Sequence, residues 1–258
     1  MCLDITVLKI MVLAFAVLRI KKMKKYFCTL LAFLPLTLFC ANSDSTKTRK
    51  IEIGITYSPD YCYRTLKPDA SSKWITDIRD TLEIPKLGYT LGANVVYHLN
   101  KKISIESGLL FSDKGDKTKK YVLENSPTGE LPINNTFIYH YFYLDIPLKA
   151  NYYILTGKVK LFLTAGISTN VFLTKKEISI LGYSNMDTKK NSSTVNSEYS
   201  RFNFAVIAGF GMNCKMANKL NLKLEPIYRR SITSITSNTP IKEYLYSIGL
   251  NVGIYYNL

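Results

Sequence analysis

The residues of this sequence that could do chemistry fall into one recurring class. Glu52, Glu106, Asp145 and Glu225 carry negative charge, Lys149, Lys160, Lys223 and Arg229 carry positive charge, and all eight sit on the polar side of alternating segments. Charges taken out of water are tolerated when they are paired. Four of each sign on one face therefore predicts an internal ionic network rather than a catalytic centre. The material for nucleophilic chemistry is thin. There are two histidines, His98 and His140, and past residue 43 two cysteines, Cys62 and Cys214. That is too few thiols for a disulfide framework or a cysteine-based zinc site. No nucleotide, metal or cofactor motif is present, and no residue is assigned to catalysis.

The elements that must position these charges read as strands. Residues 51–58, 87–97, 103–111, 142–152, 159–171, 202–213, 220–225 and 247–258 all alternate apolar and polar residues with period two, as in Ile51, Ile53, Ile55, Tyr57 against Glu52, Gly54, Thr56, Ser58. Several of these eight segments approach the roughly 9 to 11 residues that a tilted membrane-crossing strand needs. Their connections alternate in length. Residues 59–86, 113–136, 174–201 and 231–243 are long, whereas 100–102, 155–158 and 214–218 are short. Short periplasmic turns, longer extracellular loops and an even strand count are the pattern of an outer-membrane barrel. Aromatic residues gather at the segment ends, with Tyr97, Tyr152, Tyr153, Tyr255 and Tyr256 near one rim and Tyr57, Tyr61, Phe111, Tyr139, Tyr141, Phe172 and Tyr228 among those near the other. The fold expected is all-β, an eight-stranded antiparallel up-and-down transmembrane barrel preceded by a signal peptide, in the cell outer membrane.

Three regions follow: residues 1–43 as upstream segment and signal peptide, 44–50 as a short periplasmic tail, and 51–258 as the barrel. From Met23 the chain places Lys24 and Lys25 before the apolar run Phe27 to Cys40, then Ala41-Asn42-Ser43, which fits an export signal cleaved after Ser43. Translation starting at Met1 or at Met23 are both open readings. The whole chain carries a net charge of +15, and removal of residues 1–43 lowers this to +10. The excess gathers at the periplasmic end, on Lys47, Arg49, Lys50, Lys101, Lys102, Lys158, Lys215 and Lys219 against Asp44. Anionic outer-membrane lipids are the partner expected there. Nucleic acid is not, because the bases are scattered over turns of an exported chain.

The stretches LGYTLGANVVYHLNKKISIESGLLFSDKG (87–115), YLDIPLKANYYI (143–154), FNFAVIAGFGMNCKMANKLNLKLEPIYRRSITSI (202–235) and YSIGLNVGIYYNL (246–258) resemble the PorT-like outer-membrane β-barrel family. The resemblance implies an integral outer-membrane protein, in a family where many members have no assigned activity and some relatives serve protein secretion or surface maturation. It also gives the C-terminal Asn251, Gly253, Tyr256 and Leu258 the look of the signal read by the barrel assembly machinery, ending in Leu where Phe is commonest.

An eight-stranded barrel is just wide enough for its own side chains, so a wide conducting porin is not expected. The function expected is structural, or a surface interaction in which a protein partner meets the extracellular loops. An accessory barrel of a secretion or surface-maturation system ranks second. A lipid-modifying enzyme ranks third, because His140 is followed by Tyr-Phe where a lipid A deacylase would carry His-x-Ser. Within residues 71–82, Trp74, Ile78 and Leu82 repeat at helical spacing, which predicts a short helix capped by Ser71 or Ser72. It would pack over the barrel mouth, a partner-binding face being the other reading. Cys62 and Cys214 lie at opposite ends of the barrel, too far apart for a disulfide, whose Cα atoms lie within about 7 Å.

Overall fold

A computed structural model describes residues 50–123, 132–155, 157–183 and 187–258. The expected export signal, its cleavage site and most of the N-terminal tail lie outside the described residues. The elements run β1 (Ile51–Pro68), α1 (Lys73–Leu82), β2 (Glu83–His98), β3 (Ile103–Thr118), β4 (Tyr121–Val122), β5 (Asn134–Leu155), β6 (Val159–Gly182), β7 (Lys189–Thr194), β8 (Phe202–Lys215), β9 (Leu220–Ser231) and β10 (Ile241–Asn257).

Eight of these strands form a closed ring in the order β1-β2-β3-β5-β6-β8-β9-β10, every pair antiparallel. Closure is made by β1 against β10, from Glu52 opposite Asn257 to Pro68 opposite Ile241. The two short strands lie outside the ring: β4 pairs with the start of β5, and β7 with the end of β6. They widen the upper part of β5 and β6 into a four-stranded sheet that stands beyond the ring on the side of the long connections.

Sidedness follows from the two-residue period. Ile51, Ile53, Ile55 and Tyr57 are exposed on the outside of β1, while Glu52, Ser58 and Asp60 are buried inside. Leu87, Ile167, Phe210 and Ile248 repeat the arrangement on other strands, each more than half exposed. A wall of exposed aliphatic side chains around a polar interior is stable where the surrounding solvent is hydrocarbon. No helix among the described residues is long and apolar enough to cross a membrane; the strands make the crossing.

The structure corrects three expectations. First, much of what the sequence assigns to long connections is strand, since β1 continues to Pro68, β3 to Thr118 and β6 to Gly182, and β5 begins at Asn134. Apolar alternation stops where both faces meet water, but the hydrogen-bond ladder runs on. Second, Tyr153 and Tyr255 do not belong to an aromatic girdle. Their neighbours Tyr152 and Tyr256 face outward, and they themselves turn into the lumen, 3% and 1% exposed. Adjacent residues of a strand take opposite faces, so each Tyr-Tyr pair splits. Third, Tyr141 is buried in the mouth of the barrel with Tyr143, Ile235 and Leu245 rather than placed on the lipid-facing rim.

The Tyr255 ring is seated by missing side chains. A Cβ added at Gly54 would come 2.5 Å from Tyr255 Cδ1 and 2.7 Å from the carbonyl oxygen of Ile254. Neither the stacked ring nor the ladder can retreat. Gly54→Ala is therefore expected to lower stability by about 1–3 kcal/mol, the usual cost of overpacking, read as a lower urea midpoint for unfolding from lipid vesicles.

Candidate functional site

The lower lumen is crossed by one ionic cluster. Glu106 on β3 is held between Lys149 Nζ of β5, at 2.9 Å, and Lys223 Nζ of β9. Asn151 Nδ2 donates to it at 3.0 Å and the Tyr255 hydroxyl at 3.2 Å. Glu225 accepts from Lys149 at 3.0 Å and from Asn251 Nδ2 at 2.8 Å. In a ring of eight, β3 and β9 are diametrically opposite, so the Glu106–Lys223 pair spans the interior. Arg229 binds Asp60 at 2.8 Å and donates to Asn251 at 2.7 Å. Ser58 and Thr90 also donate to Asp60, at 2.7 and 2.5 Å. Lys114 pairs with Asp145 at 2.8 Å. His98 Nε2 lies 2.9 Å from Glu52, and Asn221 donates to the same carboxylate at 3.1 Å.

Seven of the eight charges singled out in the sequence thus have internal partners. Lys160 does not join them. It is half-exposed one residue into β6, where the lumen opens to water, and its ammonium lies 5.7 Å over the Tyr153 ring. The balance is also not four against four, because Asp60 and Lys114 belong to the network. Both fall within the long connections 59–86 and 113–136 that the sequence pattern predicts, whereas the structure places them in β1 and β3. Of the C-terminal residues, Asn251 is a lumen bridge between Arg229 and Glu225, Tyr256 faces lipid, and Leu258 is exposed. A cavity of about 10 Å³ beside Lys114, Asp145 and Arg229 leaves room for about one water.

The extracellular mouth is closed by a second ionic group. Arg79 of α1 donates through Nε to Glu83 at 2.6 Å and through Nη2 to Glu243 of β10 at 3.3 Å. Arg64 of β1 pairs with Asp80 of α1 and with Glu83. These contacts turn the polar side of α1 toward the barrel. Trp74 and Ile78 consequently face outward, 64% and 50% exposed, which corrects the expectation that they pack the helix over the mouth. The mouth offers charge, so the charged side of the helix fills it. Ser72 is the N-cap residue but makes no side-chain cap bond; its own N–H donates to Asp69 at 2.9 Å.

Asp116 completes this group. It lies five residues beyond the girdle residue Phe111, fully buried, with neither carboxylate oxygen hydrogen-bonded. Burial, and then the carboxylates of Glu243 and Glu83, push its pKa well up, against the opposing pull of Arg64 and Arg79. Beside it, the Lys175 ammonium sits within 4.8 to 5.7 Å of the rings of Tyr139, Tyr199 and Tyr141 and 3.6 Å from Glu177.

A third group joins β2, β3 and β5. Asp113 lies 2.6 Å from Lys86 Nζ and 2.9 Å from His140 Nδ1, and Lys86 is 2.8 Å from the same nitrogen. A carboxylate that orients a histidine is half of a nucleophilic triad. Among the described residues no hydroxyl or thiol hydrogen-bonds to His140. Nor does any group of three or more His, Cys, Asp or Glu there suit a metal ion. Cys62 and Cys214 are both buried, near the outer end of β1 and the inner end of β8 respectively.

Residues 41–237 match the family model described as outer membrane protein beta-barrel domain. The chain belongs to this family. Its place is accordingly the outer membrane, in agreement with the inverted burial of its strands. None of the curated proteins matches the sequence. Among solved structures it is similar to Neisserial surface protein A (11% identity over 81% of this chain and 97% of that one, TM-score 0.43). It is also similar to OprG of Pseudomonas aeruginosa (14%, 82% and 98%, TM-score 0.39) and to the outer membrane protease OmpT of Escherichia coli (9%, 84% and 99%, TM-score 0.41).

Two outcomes follow. Glu106→Met leaves Lys149 and Lys223 with Glu225 as their one carboxylate and is expected to cost about 3–5 kcal/mol, much of which Glu106→Met combined with Lys223→Met recovers; a double-mutant cycle in urea measures both. For Asp116 the sign is set by its raised pKa, because the seated mouth then holds a proton that an opened, hydrated mouth releases. That preference for closure is full below the ordinary Asp value of about 3.9 and is lost as pH rises through the raised value. The anisotropy decay of Trp74, the chain's one tryptophan, is expected to speed up as pH rises and to become insensitive to pH in Asp116→Asn.

Proposed function

We propose that the protein works at its outer surface, as a closed PorT-like barrel whose extracellular sheet and capped mouth meet a protein partner. The observation that carries this reading is where the chain spends its strand length. A bilayer crossing needs about 9 to 11 residues per strand, and β5 and β6 run for 22 and 24. The surplus builds the β4-β5-β6-β7 sheet, while the interior below is occupied by the Glu106, Lys149, Lys223 and Glu225 cluster. Such an investment suits display rather than permeation.

The resemblance of residues 87–115, 143–154, 202–235 and 246–258 to the PorT-like family makes an accessory role in secretion or surface maturation the second reading, through the same sheet. A lipid-modifying activity would draw on His140 and Asp113, which lie together with Lys86 and with no hydroxyl or thiol of the described residues bonded to the histidine.

Planar-bilayer recordings of the purified barrel are expected to give no large steady conductance; a stable open level of porin size would overturn the display reading. Affinity purification from crosslinked outer membranes is expected to recover a protein partner that is lost in Ile138→Asp/Ile178→Asp, two half-buried residues paired across the sheet. Recovery of a stoichiometric export assembly would favour the accessory reading, and a change in lipid A acylation on His140→Ala would favour the enzymatic one.

A further inference from the structure

We propose that the periplasmic rim is a binding ring for the anionic phospholipid headgroups of the inner-facing leaflet. This goes beyond the surface role and concerns the opposite end of the barrel. The short turns define that end. They are three in number, and the seam where β10 meets β1 makes a fourth junction. In a ring of eight strands these junctions fall in every second gap, a quarter-turn apart. Each carries exposed basic charge: Lys101 and Lys102 between β2 and β3, Lys158 between β5 and β6, Lys219 between β8 and β9, and Lys50 at the seam. Among the described residues no Asp or Glu is exposed there. The nearest, Glu52 and Glu106, are buried and bonded inside.

Three features select a leaflet as the occupant. A protein partner engages one sector of a rim, whereas charges spaced by quarter-turns match a plane perpendicular to the barrel axis. The turns also interleave their lysines with exposed Leu99, Leu155 and Met216, which suits the boundary between headgroups and acyl chains and would be costly against water or a sugar polymer. The Lys219 ammonium lies 5.2 Å over the ring of Tyr256, a lipid-facing girdle residue, so charge and girdle stand at one depth. Basic residues at such a surface attract anionic headgroups strongly enough to enrich them severalfold each.

The test uses the full barrel in nanodiscs of mixed phosphatidylglycerol and phosphatidylcholine, with retained lipid counted by native mass spectrometry. The native chain is expected to keep phosphatidylglycerol about tenfold over phosphatidylcholine. Lys50→Gln/Lys101→Gln/Lys102→Gln/Lys158→Gln/Lys219→Gln is expected to abolish the preference and the matching arginine variant to keep it. Lys117→Gln/Lys176→Gln, on the extracellular side, is expected to leave it unchanged. Equal retention by the native chain overturns the proposal, as does a preference that survives the glutamine variant. Lysine-dependent sedimentation with peptidoglycan, in the absence of any lipid preference, would overturn it in favour of a cell-wall contact. Should the glutamine variant not insert, the native preference is read at rising salt, which screens such attraction; a preference indifferent to salt also overturns the proposal.

Discussion

Hydrocarbon offers no partner to a peptide N–H or C=O, and the whole architecture answers to that constraint. The pairing of β1 with β10 removes the last open edge within the membrane. Once the ring is closed its circumference is set, and with it the width of the interior. Eight strands leave a lumen that side chains fill, so the inward residues cannot remain solvated and must bind one another. The Glu106 cluster is thus a consequence of closure. The same closure explains why lumen carboxylates gather several donors each, with Asp60 taking donors from Ser58, Thr90 and Arg229 at once.

Above the bilayer the constraint relaxes, and the structure changes character. Both faces of a strand can then be polar, irregular elements are tolerated, and the barrel ends in a lid composed of α1, an aromatic cluster and six ionised or ionisable groups. Arg64 and Arg79 bind three carboxylates there, those of Asp80, Glu83 and Glu243, and Asp116 stands beside them without a partner. The membrane segment is therefore held by ion pairs and hydrogen bonds that tie most of its lumen charges to one another, whereas the mouth retains one buried carboxylate, Asp116, whose state depends on the medium. Local release of the helix is easier there than anywhere in the ring.

The ring was legible in the sequence because lipid and lumen impose opposite chemistry on adjacent residues, which prints period two onto the chain. The eight crossings, their parity and the inward direction of Glu106, Asp145, Lys149, Lys223, Glu225 and Arg229 all follow from that print. Where the lipid ends the print fades. Lys114 reads as loop because residues 112–120 are polar on both faces, and Asp60 because Pro59 precedes it, although the ladder continues through both. Trp74 and Ile78 misled for a related reason: a helical apolar stripe ordinarily marks the buried side, and only knowledge that the mouth is ionic would reverse it. The meeting of Asp113, His140 and Lys86 joins three strands through the irregular β2–β3 register between Pro85 and Tyr89, which no spacing rule anticipates.

The six residues of β7 are all exposed, and on the side away from β6 they present backbone groups that no other described strand pairs. An edge of this kind on a crowded cell surface is an invitation for neighbouring molecules to zip together. Lys189 and Lys190, followed by Asn, Ser, Ser and Thr, make the invitation unattractive: two such edges brought side by side would repel and would have no grease to share. The protein can accordingly extend its sheet into the medium without this edge seeding strand pairing between its own copies.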